Sequence, residues 1–232
     1  RSHHETGSSG YALVNLQDGE RVFLDWNKKG VTDLYPFQFT DAEIEYIRTF
    51  DVACISWGAR VSKEMIERLA KGGVTICYDF YDNFTKADIQ EISPYIKYGF
   101  FSCSHIGEEK TKEILEKCVG LGCRIAIGTR GANPAIAYDG REFYTQDVCK
   151  VKATDTMGAG DSFATAMLIT ILKKLETQPE GSWKNSEIRA EILPEALKAA
   201  AVFSAGTCLK NGAFGDGVPV PKSEHDRIYR EL

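Results

Sequence analysis

Asp155-Thr-Met-Gly-Ala-Gly-Asp-Ser-Phe163 sets two carboxylates on either side of a Gly-Ala-Gly turn. The residues that follow, Ala164 to Leu172, are apolar or small and contain no Gly or Pro, which predicts a buried helix. A glycine turn that opens a helix leaves the first backbone N–H groups without intrahelical partners. Those donors, at the positive end of the helix dipole, favour an anion, most often a phosphate. Asp161 falls in the same first turn, where it can take a proton from a group attacking that phosphate. An anion hole of Gly158, Ala159 and Gly160 beside a carboxylate base is the apparatus of phosphoryl transfer to a hydroxyl. A plain reading stands beside it: glycines before a helix can be only a tight connection, and an Asp there can serve only the dipole.

Other residues with chemical capacity lie at the ends of apolar runs. Asp79 closes Val74-Thr-Ile-Cys-Tyr, Glu108 opens a helical stretch, and Thr129-Arg130-Gly131 follows Arg124-Ile-Ala-Ile-Gly. Each has a structural alternative: a helix cap for Asp79, a dipole partner for Glu108, a solvated charge for Arg130, a turn cap for Asp155. Trp57, before Gly58, reads as core or pocket wall, and His105 as a structural histidine.

These positions need elements to hold them. Asp18-Gly19 between two alternating runs predicts a hairpin. Thr40 with Glu43 makes a capping box, and Ser62 caps a helix that stops at Gly72-Gly73. Buried strands are expected over Val52–Ser56, Val74–Asp79, Tyr98–Ser102 and Arg124–Gly128. A second hairpin turns at Asp139-Gly140. A polar surface loop runs from Thr177 to Asn185, and Pro194 starts a last long helix that ends near Lys210. Strand and helix alternate from Val52 to Glu176, the pattern of a mostly parallel sheet covered on both faces. Active sites in such sheets lie beyond the carboxyl ends of the strands. Asp79, Ser102 to Glu108, Thr129 to Gly131 and the 155–161 turn all fall there.

Composition narrows the classes. The chain has 232 residues, 43% hydrophobic and 26% charged, which suits one sizeable α/β domain. A net charge of −5 argues against a general nucleic-acid or anionic-membrane partner. The seven cysteines form no Cys-x-x-Cys pair, and several, such as Cys54 and Cys77, read as buried thiols of a reducing compartment. No apolar run reaches the length of a membrane span, and no secretory signal is evident. A cytoplasmic protein is expected.

The string Asp155-Thr-x-Gly-Ala-Gly-Asp161 resembles the signature of the PfkB (ribokinase-like) family of carbohydrate kinases. The resemblance implies a ribokinase-like three-layer α/β/α fold, with a small β lid over residues 1–39 and the catalytic core over 40–232. It implies ATP and Mg²⁺ as cofactors, K⁺ as a candidate monovalent ion, and Asp161 as base. Asp18-Gly19-Glu20-Arg21 looks like a lid strand of the family, and Asp79 matches an Asp that follows a central strand. Glu108 matches the Glu of the family's Asn-x-x-Glu motif, which organises Mg²⁺, although His105 stands at the Asn position. Thr129-Arg130-Gly131 and Asn211-Gly212 resemble the walls of the nucleotide site, with Asp155 near the monovalent ion. Trp57, Gly58 and Asp79 then fall to the acceptor.

Within the family, the order of segments is similar to kinases of the fructoselysine type, through Val22-Phe23, Lys29-Gly30-Val31, Ser56-Trp57-Gly58 and Tyr78-Asp79-Phe80. The implied reaction is ATP-dependent phosphorylation of a primary hydroxyl on a sugar or sugar-amine, in an enzyme that dimerises through its lid. Members of the family begin with a strand carrying a sugar-binding Asp and a Gly-Gly-Asn segment, neither of which is in this sequence. The expectation is the C-terminal two thirds of such a kinase, with Arg1 to Gly10 native and a sheet edge exposed. Alternatives are another kinase of the family, for ribose, fructose or a nucleoside, and a non-catalytic phosphate- or nucleotide-binding module. A dinucleotide-binding oxidoreductase fits poorly, because the Gly turn comes late and no acidic residue ends a following strand about 20 residues on.

Overall fold

The computed structural model describes residues 4–17, 20–26, 30–213, 215 and 221–231. Strands β1 (Ala12–Gln17) and β2 (Glu20–Trp26) pair antiparallel with a bulge between Leu13 and Val14. The Asp18-Gly19 turn expected between them lies outside the described residues, as does Lys29. The short helix α1 (Val31–Leu34) is tied to the opening segment by the Val31 N–H, which donates to Ser8 O at 2.9 Å.

The core is a six-stranded sheet in sequence order: β3 (Ala53–Ser56), β4 (Ile76–Asp79), β5 (Tyr98–Ser102), β6 (Ile125–Arg130), β7 (Asn133–Tyr138) and β8 (Phe143–Gln146). Pairing is parallel from β3 to β6 and antiparallel through β7 and β8, the hairpin turning at Asp139-Gly140. Strand alternation sends side chains to two packed layers. Ile76, Tyr78, Phe101, Ala126 and Ile136 pack with α3 (Lys63–Lys71), α4 (Lys86–Ile92) and α5 (Glu108–Gly120). Cys77, Tyr98, Phe100, Ile125, Ile127 and Ala137 pack with α6 (Ala159–Glu176) and α7 (Ser186–Thr207). Both faces are therefore covered, as buried parallel strands require. Helix α2 (Asp41–Ile47) carries both bonds of the Thr40–Glu43 capping box, and Thr85 with Asp88 repeats the device on α4.

Three expectations are corrected. Pro194 does not start the last long helix: Asn185 Oδ1 accepts the Glu187 N–H at 2.9 Å and starts α7 at Ser186, leaving Pro194 inside it. A proline there removes one intrahelical bond. That loss is offset by packing, since the helix buries Ile192, Leu193, Ala196, Leu197 and Ala200. Cys54 is not buried but exposed, because β3 is the outermost strand of the sheet and its residues alternate between half-buried and exposed. The 177–185 loop is not wholly a surface feature: a short turn at Ser182–Lys184 inserts Trp183 into the core at 6% exposure. A further, shorter helix, α8 (Lys222–Glu231), follows the last long one.

Candidate active site

The carboxyl ends of β4, β5 and β6 are aligned by register: Ser56 pairs with Asp79, Asp79 with Phe100, and Ser102 with Thr129. Parallel neighbours are about 4.8 Å apart, so the loops after these strands share one edge. The signature turn enters that edge from the side of α7.

Asp155 is 1% exposed and holds the turn together. Its Oδ1 accepts the Met157 N–H at 3.0 Å and its Oδ2 accepts the Gly212 N–H at 2.8 Å. The Thr154 N–H donates to Cys208 O at 2.8 Å, and Ser204 Oγ donates to Ala159 O at 2.9 Å. The end of α7 thus braces the start of α6. Gly158 caps α6 in the left-handed region, φ 73°, and a Cβ there would come within 2.7 Å of the Ala213 Cβ. Only glycine satisfies both conditions. The Ser162 hydroxyl closes the turn onto Gly158 O.

Within the expected anion hole the donors are not equivalent. Ala159 gives its N–H to Thr156 O at 3.2 Å, whereas the amides of Gly158, Gly160 and Asp161 have no protein acceptor among the described residues. The open set is therefore 158, 160 and 161, the orphan donors expected of a helix N-terminus. Asp161 itself is exposed. Burial pushes the Asp79 carboxyl above its usual range. The Tyr81 N–H bond pulls it down, and the negative charges of Asp161 and Asp82 push it up further. Two carboxylates from β4 and α6 therefore face one field, and neither forms an ion pair among the described residues.

A second group surrounds the ends of β5 and β6. Glu108 opens α5; its Oε1 meets Lys112 Nζ at 2.8 Å and its Oε2 meets Arg130 at 3.3 Å. The Lys112 hydrogen bond, the Lys112 charge and the Arg130 charge hold its carboxyl below the usual range. Arg130 is not a solvated charge: its side chain is 10% exposed and its Nε is buried without an acceptor among the described residues. Thr129 Oγ1 donates to Phe101 O at 3.4 Å, and Gly131 turns the chain with φ 61°. His105 is exposed in the preceding turn.

Trp57 and Gly58 form a short turn after β3, with the Arg60 guanidinium 4.2 Å over the Trp57 ring and paired to Asp33 at 3.1 Å. Asn211 accepts the Gly215 N–H at 2.9 Å through its carbonyl. Asp79 with Asp161, and Asp155 with Gly158 and Gly212, are brought together. Glu108 and Asp155, both expected at metals, join no group of three metal-capable side chains among the described residues.

The pfkB family carbohydrate kinase model matches residues 2–219. The chain belongs to the pfkB family of carbohydrate kinases. Among curated relatives, the "Fructosamine kinase FrlD" of Bacillus subtilis is 29% identical over 214 residues, covering 92% of this chain and 69% of the relative. The "Fructoselysine 6-kinase" of Escherichia coli K12 is also 29% identical over 214 residues, covering 91% and 73%. The fold is that of a solved Arabidopsis thaliana ribokinase with ribose and ATP (TM-score 0.64, 19% identity, 88% of this chain). The chain spans 64% of that ribokinase. A Giardia lamblia ribokinase gives a TM-score of 0.67 at 17% identity, over 95% of this chain and 71% of the other. The ribokinase-like α/β fold and mostly parallel sheet expected from the sequence are those observed. No described helix is long and apolar enough to cross a membrane.

Proposed function

We propose that this pfkB-family chain transfers the γ-phosphoryl group of ATP to a primary hydroxyl of a sugar or fructosamine. One observation carries the reading: an exposed carboxylate, Asp161, shares a helix turn with backbone amides that no protein group among the described residues occupies. Asp161 accepts the proton of the acceptor hydroxyl, and that oxygen attacks the γ-phosphorus in line. The bond to the β,γ-bridging oxygen breaks and ADP leaves. The amides of Gly158, Gly160 and Asp161 stabilise the charge that develops on the transferring group. Asp79, buried enough to hold a fixed geometry, orients the acceptor from the next strand, with Trp57 and Gly58 at the outer side. Thr129, Arg130, Gly131, Asn211 and Gly212 line the nucleotide side.

Mg²⁺ would neutralise phosphate charge, and Glu108 is the residue that would hold it. A hard carboxylate at 47% exposure beside the β6 turn fits an ion that keeps its waters and uses one carboxylate plus phosphates. Both Asp155 oxygens accept backbone amides, so the carboxylate holds the turn, and it is the residue that would lie beside a K⁺ ion. Relatives named for fructosamine and fructoselysine favour a sugar-amine acceptor. A coupled ADP-release assay across fructosamines, ribose, fructose and nucleosides tests the proposal. Turnover that survives in Asp161→Asn at the wild-type rate overturns it.

A further inference from the structure

Three non-glycine residues have positive φ among the described residues: Arg60 at 54°, Tyr81 at 62° and Ala213 at 63°. All three border the candidate site, and two have a local account. Arg60 closes the Trp57 turn and lies over its ring, and Ala213 carries only a methyl group against Gly158. Tyr81 has none of these. A bulky side chain in the left-handed region is strained, and glycine would adopt it freely. The conformation is fixed from both sides. The Tyr81 N–H donates to Asp79 Oδ1 at 2.9 Å, and its carbonyl accepts the Ser102 N–H at 2.9 Å. The backbone of this strained aromatic residue is held firmly beside Asp79, and the residue is 37% exposed. The phenol lies within electrostatic reach of both site carboxylates. Burial raises the Tyr81 phenol, and the charges of Asp82, Asp79 and Asp161 raise it further.

We propose that Tyr81 is a substrate-contacting residue, whose ring walls the acceptor pocket and packs on the C–H face of a polyhydroxylated acceptor held by Asp79 and Asp161. This rests on the kinase reading for the identity of the acceptor. The geometry explains why strain is retained: a glycine here would give the same turn and no wall. Pockets for small ligands pair apolar or aromatic walls with a few placed polar groups, and the end of β4 with the loop after it supplies both within three residues, Asp79 to Tyr81.

Tyr81→Ala and Tyr81→Gly separate the two roles. Both remove the ring, so both should raise the acceptor KM by about tenfold, with the ATP KM moving less than about twofold. Only the glycine removes the backbone strain, so Tyr81→Gly should melt above Tyr81→Ala. Tyr81→Phe, which keeps the ring, should recover most of the lost acceptor affinity. Glycine melting higher while the acceptor KM stays at the wild-type value overturns the proposal, as does an effect confined to ATP. Should the wild type release no ADP with any sugar, the kinase reading fails on its own. Calorimetric titration of the same sugars into wild type and Tyr81→Ala then still decides whether Tyr81 contacts them: weaker binding by the variant supports it, and equal or undetectable binding by both overturns it.

Discussion

Two aspartates at opposite ends of the sheet show what a strand end can be used for. Asp139 follows β7, which runs antiparallel to β6, so it lies at the amino edge of the parallel strands. Its carboxylate is closed on every side. Arg189 Nε donates to Oδ2 at 2.6 Å, and the amides of Arg141 and Glu142 each donate to Oδ1 at 2.9 Å. Arg189 is itself satisfied by the carbonyls of Trp183 and Lys184 at 2.8 and 3.1 Å. Asp79, at the carboxyl edge, receives one amide and no cation among the described residues, and it lies in the field of Asp161. Burial raises both carboxyls. At Asp139 the Arg189 guanidinium and the two amides outweigh it and leave the group below its usual range, while at Asp79 burial wins. The same residue type thus serves stability where its partners belong to the protein, and is left for chemistry where they do not.

Exchanging one residue at each end tests that division. Asp161→Asn should cost about 10²–10⁴ in kcat, read by ADP release. Its stability should stay within about 0.5 kcal/mol of wild type, because the side chain is exposed. Arg189→Leu should do the reverse. It leaves Asp139 buried and uncompensated, a loss of about 3–5 kcal/mol in urea unfolding, with kcat of the folded fraction unchanged. The difference between wild type and Arg189→Leu should shrink in acid. A carboxyl held below its usual range contributes stability that disappears as pH falls through its folded value. A catalytic loss in Arg189→Leu at full folding would break the comparison.

Asp79→Asn is a smaller test of opposite sign. A carboxyl raised on folding opposes the folded state once pH exceeds its unfolded value, and the penalty is complete above its folded value. Asparagine keeps the oxygen that accepts the Tyr81 N–H and removes the charge that Asp161 and Asp82 repel. The variant should melt above wild type at neutral pH, and the gain should fade as the pH is lowered and wild-type Asp79 takes up its proton. Acceptor KM should rise in the same protein. A variant that melts below wild type at neutral pH would show that Asp79 is a structural cap.

Much of this was legible because it is local. The Thr40–Glu43 capping box, the Ser62 cap, the Gly72-Gly73 stop and the strand Tyr98–Ser102 depend on neighbours a few residues apart, and the structure has them as expected. The turn at 155–161 could be read from its own residues, apart from the Ala159 amide, which a Thr156 carbonyl occupies. Partners distant in sequence could not be read. Arg189 and Asp139 are 50 residues apart, and Asp155 reaches Gly212 across 57. Pro194 misled because proline is common in a first helical turn, and nothing local says that Asn185 has already started the helix. Cys54 misled because an apolar strand looks the same at the edge of a sheet as in its middle. Tyr81 gave no signal at all, since its φ is set by Asp79 and Ser102 rather than by its own preference.

The smallest effect asks whether partnership sets a titrating group away from the two edges as well. Cys54 and Cys77 are register partners on β3 and β4, one exposed and one buried. The hydrogen bond from Cys77 lowers the Cys54 thiol to about 7, against the smaller opposing effect of partial desolvation on the sheet, while Cys77 is pushed up. Cys54 should therefore react first with iodoacetamide, with a rate that inflects near pH 7, since the thiolate is the nucleophile. Cys77, Cys103, Cys118 and Cys123, all buried, should react only after unfolding. Cys77→Ala should move the Cys54 inflection back towards the ordinary thiol range and slow labelling at neutral pH by a few fold. Peptide mapping by mass spectrometry reads both. If the inflection is unchanged in Cys77→Ala, the charge on Cys54 is set by solvent exposure alone, and the rule drawn from Asp79 and Asp139 does not extend to mid-strand pairs.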